Sequence, residues 1–350
     1  MLRRLFFWFT RTINKALLGL NFHVFPKLNI GEPCALKIEL SSACNLKCVL
    51  CPAGENVALD RKQEFMSFDV FRKIIDQVNP KTTEKILPYL WGESLIHPQF
   101  VEMMEYIKKT NNYYKVFVST HGSIDPQKID MRRLVKSGIY EIMVDLDGES
   151  QESYEKYRKG GSFEKVLTFV KELHKFKKNQ KSKIKINGLI VLSAFNENKI
   201  DEIKEIFGEY VDYFEIKTMR MFHDYEEKKD LLEDFYAFRP KNESYQYKPL
   251  IKRENQEDLK IAAKEKGVQN SKQATKLNKG CLAVAVGSFV NVQGNIIACS
   301  GDPKSRYKFG NIETNDIYKT KKSKEFIDFK ETVRTRPETL PQCYSCINDF

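Results

Sequence analysis

The sequence predicts an α/β fold: a partial (β/α)6 barrel of parallel strands with a small α+β domain at the C-terminal end. Two observations lead to this prediction. Between about residues 35 and 225, short apolar runs alternate with amphipathic segments, which is typical of a parallel sheet with helical crossovers. Near residue 281 a second apolar region begins, as a hairpin whose turn holds Gln293, Gly294 and Asn295. A chain of 350 residues is long enough for both units.

The strand candidates of the barrel are, in chain order, CALKIEL, KILPYLWGE, KVFVSTHG, YEIMVDLDG, IKINGLIVLS and YFEIKTMRM. The helix candidates between them are SFDVFRKIIDQV, FVEMMEYIKKT, SFEKVLTFVKELHKF and KIDEIKEIFGEY. We divide the chain into residues 1–34 (N-terminal helix and lead-in), 35–225 (barrel), 226–280 (polar linker) and 281–350 (C-terminal domain). In a barrel, the side chains that carry chemistry gather where the strands end.

The first twenty residues predict an amphipathic helix. Its apolar stripe consists of Leu2, Leu5, Phe6, Phe9, Ile13, Ala16, Leu17 and Leu20, and its flanking cations are Arg3, Arg4, Arg11 and Lys15. Because Arg11 and Lys15 interrupt the apolar region that a signal peptide needs, cleavage is not expected. Two interpretations stay open: the helix docks on the protein's own body, or it lies on an anionic membrane surface.

Composition indicates a globular protein of the cytoplasm, with peripheral contact to the inner membrane surface as an alternative. The 58 Lys and Arg residues exceed the 47 Asp and Glu residues by 11. Acids are interleaved with the cations, so the pattern favours a Lys-rich surface and no nucleic-acid partner is expected. Eight cysteines in a long chain without a cleavable signal indicate a reducing compartment. No run of about 18 apolar residues predicts a membrane-spanning helix.

Cys44, Cys48 and Cys51 form a C-x3-C-x2-C pattern in a loop directly after the first strand. Three thiolates this close can hold three corners of a cubic iron-sulfur cluster and leave the fourth iron without a protein ligand. Structural zinc normally needs four protein ligands, and the nearest other cysteine, Cys34, lies at the start of the preceding strand. The spacing therefore favours a cluster whose open iron binds a small molecule.

The segment LKIELSSACNLKCVLCP resembles the first strand and cluster loop of the radical S-adenosylmethionine superfamily. The resemblance implies a 4Fe-4S cluster that passes one electron to S-adenosylmethionine and so produces a 5'-deoxyadenosyl radical. It also implies reduced flavodoxin or ferredoxin as the electron donor.

Further matches to the same family follow in order along the chain. Gly92 and Glu93 resemble the motif that holds the amino group of the cosubstrate methionine, and a carboxylate suits an ammonium. Thr120-His121-Gly122 resembles a Thr-Asn-Gly motif, with His121 as a departure. Asp145 and Asp147 lie in a segment similar to a Ser-x-Asp-Gly motif that contacts the cosubstrate, with Asp145 replacing the serine. Arg158 matches an arginine that pairs with the methionine carboxylate.

The second cysteine group is Cys281, Cys299, Cys343 and Cys346. Its spacing alone is typical of a zinc ribbon. In a chain that also carries the first cysteine loop, this second cysteine group resembles the Twitch domain, the shortened one-cluster form of the SPASM domain. The resemblance implies a second, auxiliary 4Fe-4S cluster with four cysteine ligands, a form better suited to moving an electron than to binding a ligand.

Three functions stay open. The first is oxidation of a small alcohol such as a sugar or cyclitol, since the four-cysteine arrangement resembles that of 2-deoxy-scyllo-inosamine dehydrogenase. The resemblance implies that family members acting on peptides carry a leader-peptide-binding domain ahead of the barrel, and only about forty residues precede Cys44, so a small-molecule substrate is favoured. Arg220 or Asp224, just after the sixth strand candidate, is the expected base. The others are a SPASM-type peptide or protein maturase and a non-catalytic zinc-binding module.

Overall fold

The computed structural model describes residues 2–24, 30–49, 51–53, 62–193, 195–218, 281–340 and 343. These residues form a nine-stranded sheet with the strand order β6-β5-β4-β3-β2-β1-β7-β8-β9. The strands are β1 (Ala35–Ile38), β2 (Lys85–Leu87), β3 (Lys115–Thr120), β4 (Ile139–Asp145), β5 (Lys185–Leu192), β6 (Tyr213–Thr218), β7 (Gly287–Val290), β8 (Asn295–Ile297) and β9 (Lys308–Asn311). The six predicted strands of the barrel are confirmed as β1 to β6, all parallel.

Helices connect these strands. In the described residues they are α1 (Leu2–His23), α2 (Phe68–Gln77), α3 (Phe100–Thr110), α4 (Met131–Leu134), α5 (Gln151–Tyr157), α6 (Phe163–Asn179), α7 (Ile200–Phe207), α8 (Leu282–Val286), α9 (Ile317–Lys321) and α10 (Lys324–Thr335), with short 3-10 turns at Ser94–Ile96, Pro126–Lys128 and Pro337–Thr339. Helices α2, α6 and α10 begin at serine N-caps, Ser67, Ser162 and Ser323. None of the described helices is long and apolar enough to cross a membrane.

The sheet has one face covered by helices and one face that carries polar groups. Along β4, Ile142 and Val144 pack in the main core with helix residues such as Phe169. Because strand side chains alternate between faces, Glu141 and Asp145 lie on the opposite face. Asn187 of β5 lies beside them and donates to Glu141 Oε1 at 3.2 Å. The barrel strands therefore present a polar surface on their inner side.

A seventh parallel strand, which the sequence did not lead us to expect, joins the C-terminal domain to the barrel. The predicted hairpin forms β7 and β8, and β7 pairs in parallel with β1, from Ala35 opposite Gly287 to Ile38 opposite Val290. A further bond runs from Val292 N to Glu39 Oε2 at 2.9 Å. The antiparallel strands β8 and β9 complete this edge of the sheet. The second cysteine group is thus fixed relative to the first strand of the barrel.

The topology separates the two cysteine groups along β1. Cys44 follows the end of β1, whereas Cys281 precedes α8 and β7, whose start lies beside the start of β1. Cys299 follows β8, which runs antiparallel to β7 and so returns to the same end. The four paired residues of β1 span roughly 10 Å at ~3.3 Å per residue. The polar inner face of the barrel lies along this span.

Helix α1 forms as predicted, but its apolar stripe does not dock on the body. The side chains of α1 that are buried against the protein are Phe7, Arg11, Asn14, Leu18 and Asn21. The stripe residues Leu5, Phe9 and Ile13 are 63%, 58% and 45% exposed. The helix therefore docks on the protein's own body, but through the face opposite the apolar stripe, and Arg11 belongs to that docked face instead of flanking the stripe.

Candidate functional site

The loop after β1 carries Cys44, Cys48 and Cys51, of which Cys48 is buried and the other two are partly buried. Cys48 is buried among Leu46 and Tyr157, and Trp91 packs on the side of Cys44 and Cys51. Burial raises the pKa of Cys44 and of Cys48 well above the ordinary thiol value. Buried thiolates at these positions need positive charge beside them, and the irons of a cluster supply it. The three thiols thus suit a three-cysteine 4Fe-4S cluster.

A glycine fixes the backbone that lies against this loop. Gly92 has φ +70°, and a Cβ there would come within 2.5 Å of Ser41 O and 2.6 Å of Ala43 O. The next residue, Glu93, donates its N–H to Ala43 O at 2.9 Å. Only glycine allows the segment after β2 to approach the cysteine loop this closely.

The Glu93 carboxylate is buried beside the cysteine loop and held by three donors. Leu95 N donates to Oε1 at 3.0 Å, His121 N donates to Oε2 at 3.0 Å, and the Thr120 hydroxyl also bonds to the carboxylate. Burial raises the pKa of Glu93 to about 7 despite these donors. An ammonium placed against this carboxylate would stabilise its charged form. The environment suits the amino group that the family resemblance assigns to Glu93.

His121, the departure from the family's asparagine, is a neutral link in the site. Its Nδ1 accepts from Ser123 N at 3.0 Å, so the proton belongs on Nε2, which lies 3.0 Å from Asn45 Oδ1. The same Nε2 is 3.3 Å from Glu93 Oε2. Burial lowers the pKa of His121 to about 3. The imidazole therefore ties the end of β3 to the cysteine loop without adding charge.

Arg158 is held by two buried carboxylates. Its Nε lies 2.6 Å from Asp147 Oδ2, and its Nη2 lies 2.9 Å from Asp145 Oδ2. Its Nη1 is 3.9 Å from Cys48 Sγ. Burial alone would lower the pKa of Arg158, but Asp145 and Asp147 raise it well above its ordinary value. Asp147 also accepts from Val191 N at 2.7 Å, so it joins β5 to the same network.

This network changes what can be expected of Asp145 and Arg158. The guanidinium carries five N–H donors, and the bonds to Asp145 and Asp147 engage Nη2 and Nε. At the position where the resembling motif has a serine, this chain has Asp145, and its carboxylate pairs with Arg158. The pairing of Arg158 with a methionine carboxylate, and the contacts of Thr120, Asp145 and Asp147 with cosubstrate, stay predictions.

The C-terminal cysteines form a second site. Cys281, Cys299 and Cys343 pack against an apolar cluster that includes Val284, Ala298, Phe326 and Phe329. Lys321 is buried close to Cys281 and Cys299, where its Nζ donates to Val284 O and Gly287 O, both at 2.8 Å. Three thiols beside this apolar cluster, with a fourth cysteine three residues beyond Cys343, suit a four-cysteine cluster.

The structure brings together most of the predicted site residues. Around the first cysteine loop it gathers Cys44, Cys48, Cys51, Gly92, Glu93, Thr120, Asp145, Asp147 and Arg158. Arg220, Asp224 and Cys346 lie outside the described residues, as does the 226–280 segment. Within the part of the chain that is described, no three His, Cys, Asp or Glu side chains converge on a single-ion metal site.

Four residues of the site were not predicted as functional: Asn45, Trp91, His121 and Tyr157. The Tyr157 ring lies 4.8 Å from the Arg158 guanidinium and adjoins Cys48. Asn45 lies between Cys44 and Cys48 in the stretch C-N-L-K-C, so its place in the cysteine motif could have identified it as a site residue. No sequence signal identifies Trp91 or Tyr157, because aromatic residues after a strand or in a helix are most often core.

Comparisons with known proteins agree with this geometry. Residues 38–207 match the sequence model of the radical SAM superfamily, and residues 281–347 match that of SPASM, an iron-sulfur cluster-binding domain. The fold and the two cysteine groups thus define an iron-sulfur protein of the α/β class. The chain belongs to the radical SAM superfamily, as an enzyme with a C-terminal SPASM-type domain.

Among curated relatives, the chain is 22% identical over 175 residues to GTP 3',8-cyclase of Clostridium botulinum, covering 50% of this chain and 53% of that protein. It is 22% identical over 266 residues to GTP 3',8-cyclase of Clostridium perfringens, covering 76% of this chain and 73% of that protein. The chain therefore spans only about half the length of the first of these relatives.

Three solved structures share the fold. SuiB of Streptococcus suis bound to precursor peptide SuiA has a TM-score of 0.58 at 14% identity, covering 92% of this chain and 72% of that one. The structure of anSMEcpe with bound AdoMet has a TM-score of 0.56 at 16% identity, covering 90% of this chain and 88% of that one. The structure of BtrN in complex with AdoMet and 2-DOIA has a TM-score of 0.51 at 15% identity, covering 90% of this chain and 93% of that one. Identities this low show the fold alone.

Proposed function

We propose that this radical SAM enzyme oxidises a small alcohol, such as a sugar or cyclitol, to a ketone. The observation that carries the proposal is the placement of the two cysteine groups at opposite ends of β1. Glu141, Asp145 and Asn187 form a polar face on β4 and β5, and Asp145 is linked to the first cysteine group through Arg158. A hydroxylated substrate on this face would have radical initiation at one end and an electron acceptor at the other.

When bound, the first cluster supplies the single electron that breaks a carbon–sulfur bond of S-adenosylmethionine. The protein's own part is to bind and orient. Glu93, fixed by Leu95 N and His121 N, holds the methionine ammonium. Arg158 offers its remaining N–H groups to the methionine carboxylate while Asp145 and Asp147 keep it in place. Trp91 and Tyr157 exclude water around the cysteine loop.

The electron balance favours dehydrogenation. The 5'-deoxyadenosyl radical takes a hydrogen atom from the carbinol carbon and becomes 5'-deoxyadenosine. An auxiliary cluster held by Cys281, Cys299, Cys343 and Cys346 would supply an acceptor for one electron of the substrate radical, and a base would take its hydroxyl proton, which would leave a ketone. Of the candidates Arg220 and Asp224, only the Asp224 carboxylate can accept a proton, because a guanidinium stays protonated. An epimerase would instead need a hydrogen donor, and such a reaction has no use for an electron acceptor.

The similar structure of BtrN, which was solved with AdoMet and 2-DOIA, supports a small-molecule substrate. SuiB with its precursor peptide and anSMEcpe with a bound peptide support the second candidate, a peptide or protein maturase. A non-catalytic zinc-binding module is the third. We place the enzyme in the cytoplasm with reduced flavodoxin or ferredoxin as its electron donor, since disulfides are rare and thiols persist in that compartment.

The test begins with the anaerobically reconstituted enzyme, S-adenosylmethionine and dithionite. A panel of amino sugars and cyclitols is screened beside synthetic peptides for stimulated 5'-deoxyadenosine formation. For a compound that responds, deuterium at its carbinol carbon should appear in 5'-deoxyadenosine, and a ketone should form. Stimulation by peptides alone would support the maturase instead.

The auxiliary site is tested with the same compound. The Cys343→Ala, Cys346→Ala variant should still cleave S-adenosylmethionine but give little ketone. Cys34→Ala is the matched control, because Cys34 belongs to neither cysteine group, and it should behave as wild type. Full ketone formation by the double variant would refute the auxiliary cluster as the electron acceptor and leave radical initiation standing.

A further inference from the structure

Helix α1 is anchored to the body by its polar side. Arg11 donates from Nε to Pro80 O at 3.1 Å and from Nη1 to Tyr113 O at 3.2 Å. Asn14 exchanges two hydrogen bonds with the backbone of Glu32, both at 2.8 Å. These directional bonds fix the rotation of the helix about its own axis. The opposite side of α1 is consequently turned away from the protein.

That opposite side, here called the outer face, is almost entirely apolar. It consists of Leu5, Phe6, Trp8, Phe9, Ile13, Leu17 and Leu20, which are between 39% and 66% exposed. Leu5 and Leu20 are roughly 22 Å apart along the helix at ~1.5 Å per residue. Contiguous apolar surface of this extent on a soluble protein marks an interaction site.

Positive charge borders the outer face. The sequence of α1 contains no Asp or Glu, and Arg3, Arg4 and Lys15 are exposed. On the adjoining body, Lys81 Nζ lies 5.8 Å from the centre of the Phe6 ring. Of these cations Lys15 is paired, with Glu84 Oε2 at 2.5 Å. An apolar strip with a cationic border is complementary to an anionic phospholipid surface, where each nearby Lys or Arg strengthens binding.

A second copy of the chain fits this surface less well. A two-fold contact through the outer face would bring two copies of α1 together, and because α1 contains no Asp or Glu, Arg3 and Arg4 would meet no carboxylate on the partner helix. Like charges facing each other across an interface oppose association. The charge pattern therefore selects lipid over self-association.

We propose that the enzyme binds anionic phospholipid membranes through the outer face of α1, with the helix lying in the headgroup region. The body residues that α1 contacts, Pro80, Glu84 and Tyr113, directly precede β2 and β3. They lie at the end of the sheet where the parallel strands begin, whereas Cys44 follows the end of β1. The bound enzyme thus keeps its cysteine loop on the side away from the bilayer.

The test uses the full-length, anaerobically purified enzyme and extruded vesicles of phosphatidylcholine, with or without phosphatidylglycerol. Wild type should pellet with the phosphatidylglycerol vesicles and remain in solution with phosphatidylcholine alone. Trp8 is 66% exposed and Trp91 is buried, so binding should shift the tryptophan emission to shorter wavelength. The rate of 5'-deoxyadenosine formation should not change when vesicles are added.

Three variants separate the contributions. Leu5→Ser, Phe9→Ser, Ile13→Ser in one chain should weaken vesicle binding on the order of a hundredfold or more, with unchanged 5'-deoxyadenosine formation as the check of folding. Arg3→Glu, Arg4→Glu should weaken it on the order of tenfold or more. Trp8→Phe is the matched control, which should pellet like wild type but lose the emission shift.

Several results would overturn the proposal. One is equal pelleting of wild type and the triple serine variant. Another is a failure of wild type to pellet with phosphatidylglycerol vesicles. This holds whether wild type is a monomer or whether light scattering shows a dimer that the triple serine variant does not form. Inhibition of 5'-deoxyadenosine formation by phosphatidylglycerol vesicles would overturn the orientation of the bound enzyme.

Discussion

Replacing Arg158 by methionine should destabilise the protein far more than the same change at a surface arginine. In the native state Arg158 is 9% exposed, and it neutralises Asp145 at 2.9 Å and Asp147 at 2.6 Å. Methionine keeps most of the side-chain volume but leaves two carboxylates buried without a cation. Breaking a buried pair in this way typically costs ~3–5 kcal/mol of unfolding free energy.

Arg133 is the matched control. It pairs with Glu105 through two hydrogen bonds, at 2.7 and 3.1 Å, but both side chains are about half exposed. Arg133→Met should therefore cost at most ~1 kcal/mol. Urea unfolding of the anaerobic proteins, followed by far-UV circular dichroism, compares the two variants with wild type. Adding Asp145→Asn and Asp147→Asn to Arg158→Met should restore at least half of the lost free energy, since the uncompensated charges are then gone.

The reasoning is refuted if Arg158→Met and Arg133→Met destabilise the protein equally. It is also refuted if the two asparagine substitutions deepen the loss in the Arg158→Met background. Either result would mean that the buried ion pairs contribute no more than exposed ones.

Three further predictions concern single positions. Gly92→Ala should lower the cluster iron content, because the new Cβ meets two carbonyl oxygens of the cysteine loop at 2.5 and 2.6 Å, whereas Gly19→Ala in α1 meets nothing within 4 Å and should leave iron unchanged. Burial raises the pKa of Glu84, but two lysines, Lys15 of α1 among them, outweigh burial and lower this pKa to about 2 from its ordinary 4.5. The stabilisation of α1 docking by the Lys15–Glu84 ion pair should therefore be complete above pH 4.5 and lost as the pH falls through 2, which hydrogen exchange of α1 amides measures. Burial and Lys330 lower the pKa of Lys321 well below its ordinary value, whereas Cys299 and Cys281 raise it, so the thiolates of a bound cluster would favour the charged ammonium. Lys321→Met should then lower the reduction potential of the auxiliary cluster in a redox titration followed by electron paramagnetic resonance; an unchanged potential would reduce Lys321 to a packing role.

The strands and main helices of the barrel could be predicted because local pattern decides them. Each of β1 to β6 coincides with an apolar run between amphipathic segments, and the predicted helices SFDVFRKIIDQV and SFEKVLTFVKELHKF are found as α2 and α6. The cysteine loop was equally plain, since its spacing is contained within eight residues. Features encoded within one short window of sequence were therefore recovered.

Features that depend on residues far apart in the sequence could not be predicted. The periodicity of α1 shows which side is apolar, but only the partners of Arg11 and Asn14, at Pro80, Tyr113 and Glu32, decide which side docks. The pairing of β7 with β1 joins strands about 250 residues apart, and no local signal specifies it.

The site shows the same division. The family pattern located Arg158, but its contacts with Asp145 and Asp147 arise only after β4 and α5 are folded side by side. His121 departs from the family pattern, and its hydrogen bonds with Asn45 and Ser123 show why an uncharged imidazole is accommodated there.

The central claim is that this chain holds two iron-sulfur clusters, of which the first initiates radical chemistry. The most direct measurement is the iron and sulfide content of the anaerobically reconstituted chain together with its formation of 5'-deoxyadenosine. Wild type should hold about eight iron and eight sulfide per chain. Replacing Cys44, Cys48 and Cys51 together by alanine should halve both numbers and abolish 5'-deoxyadenosine. A wild-type chain that holds zinc and no sulfide would contradict the account.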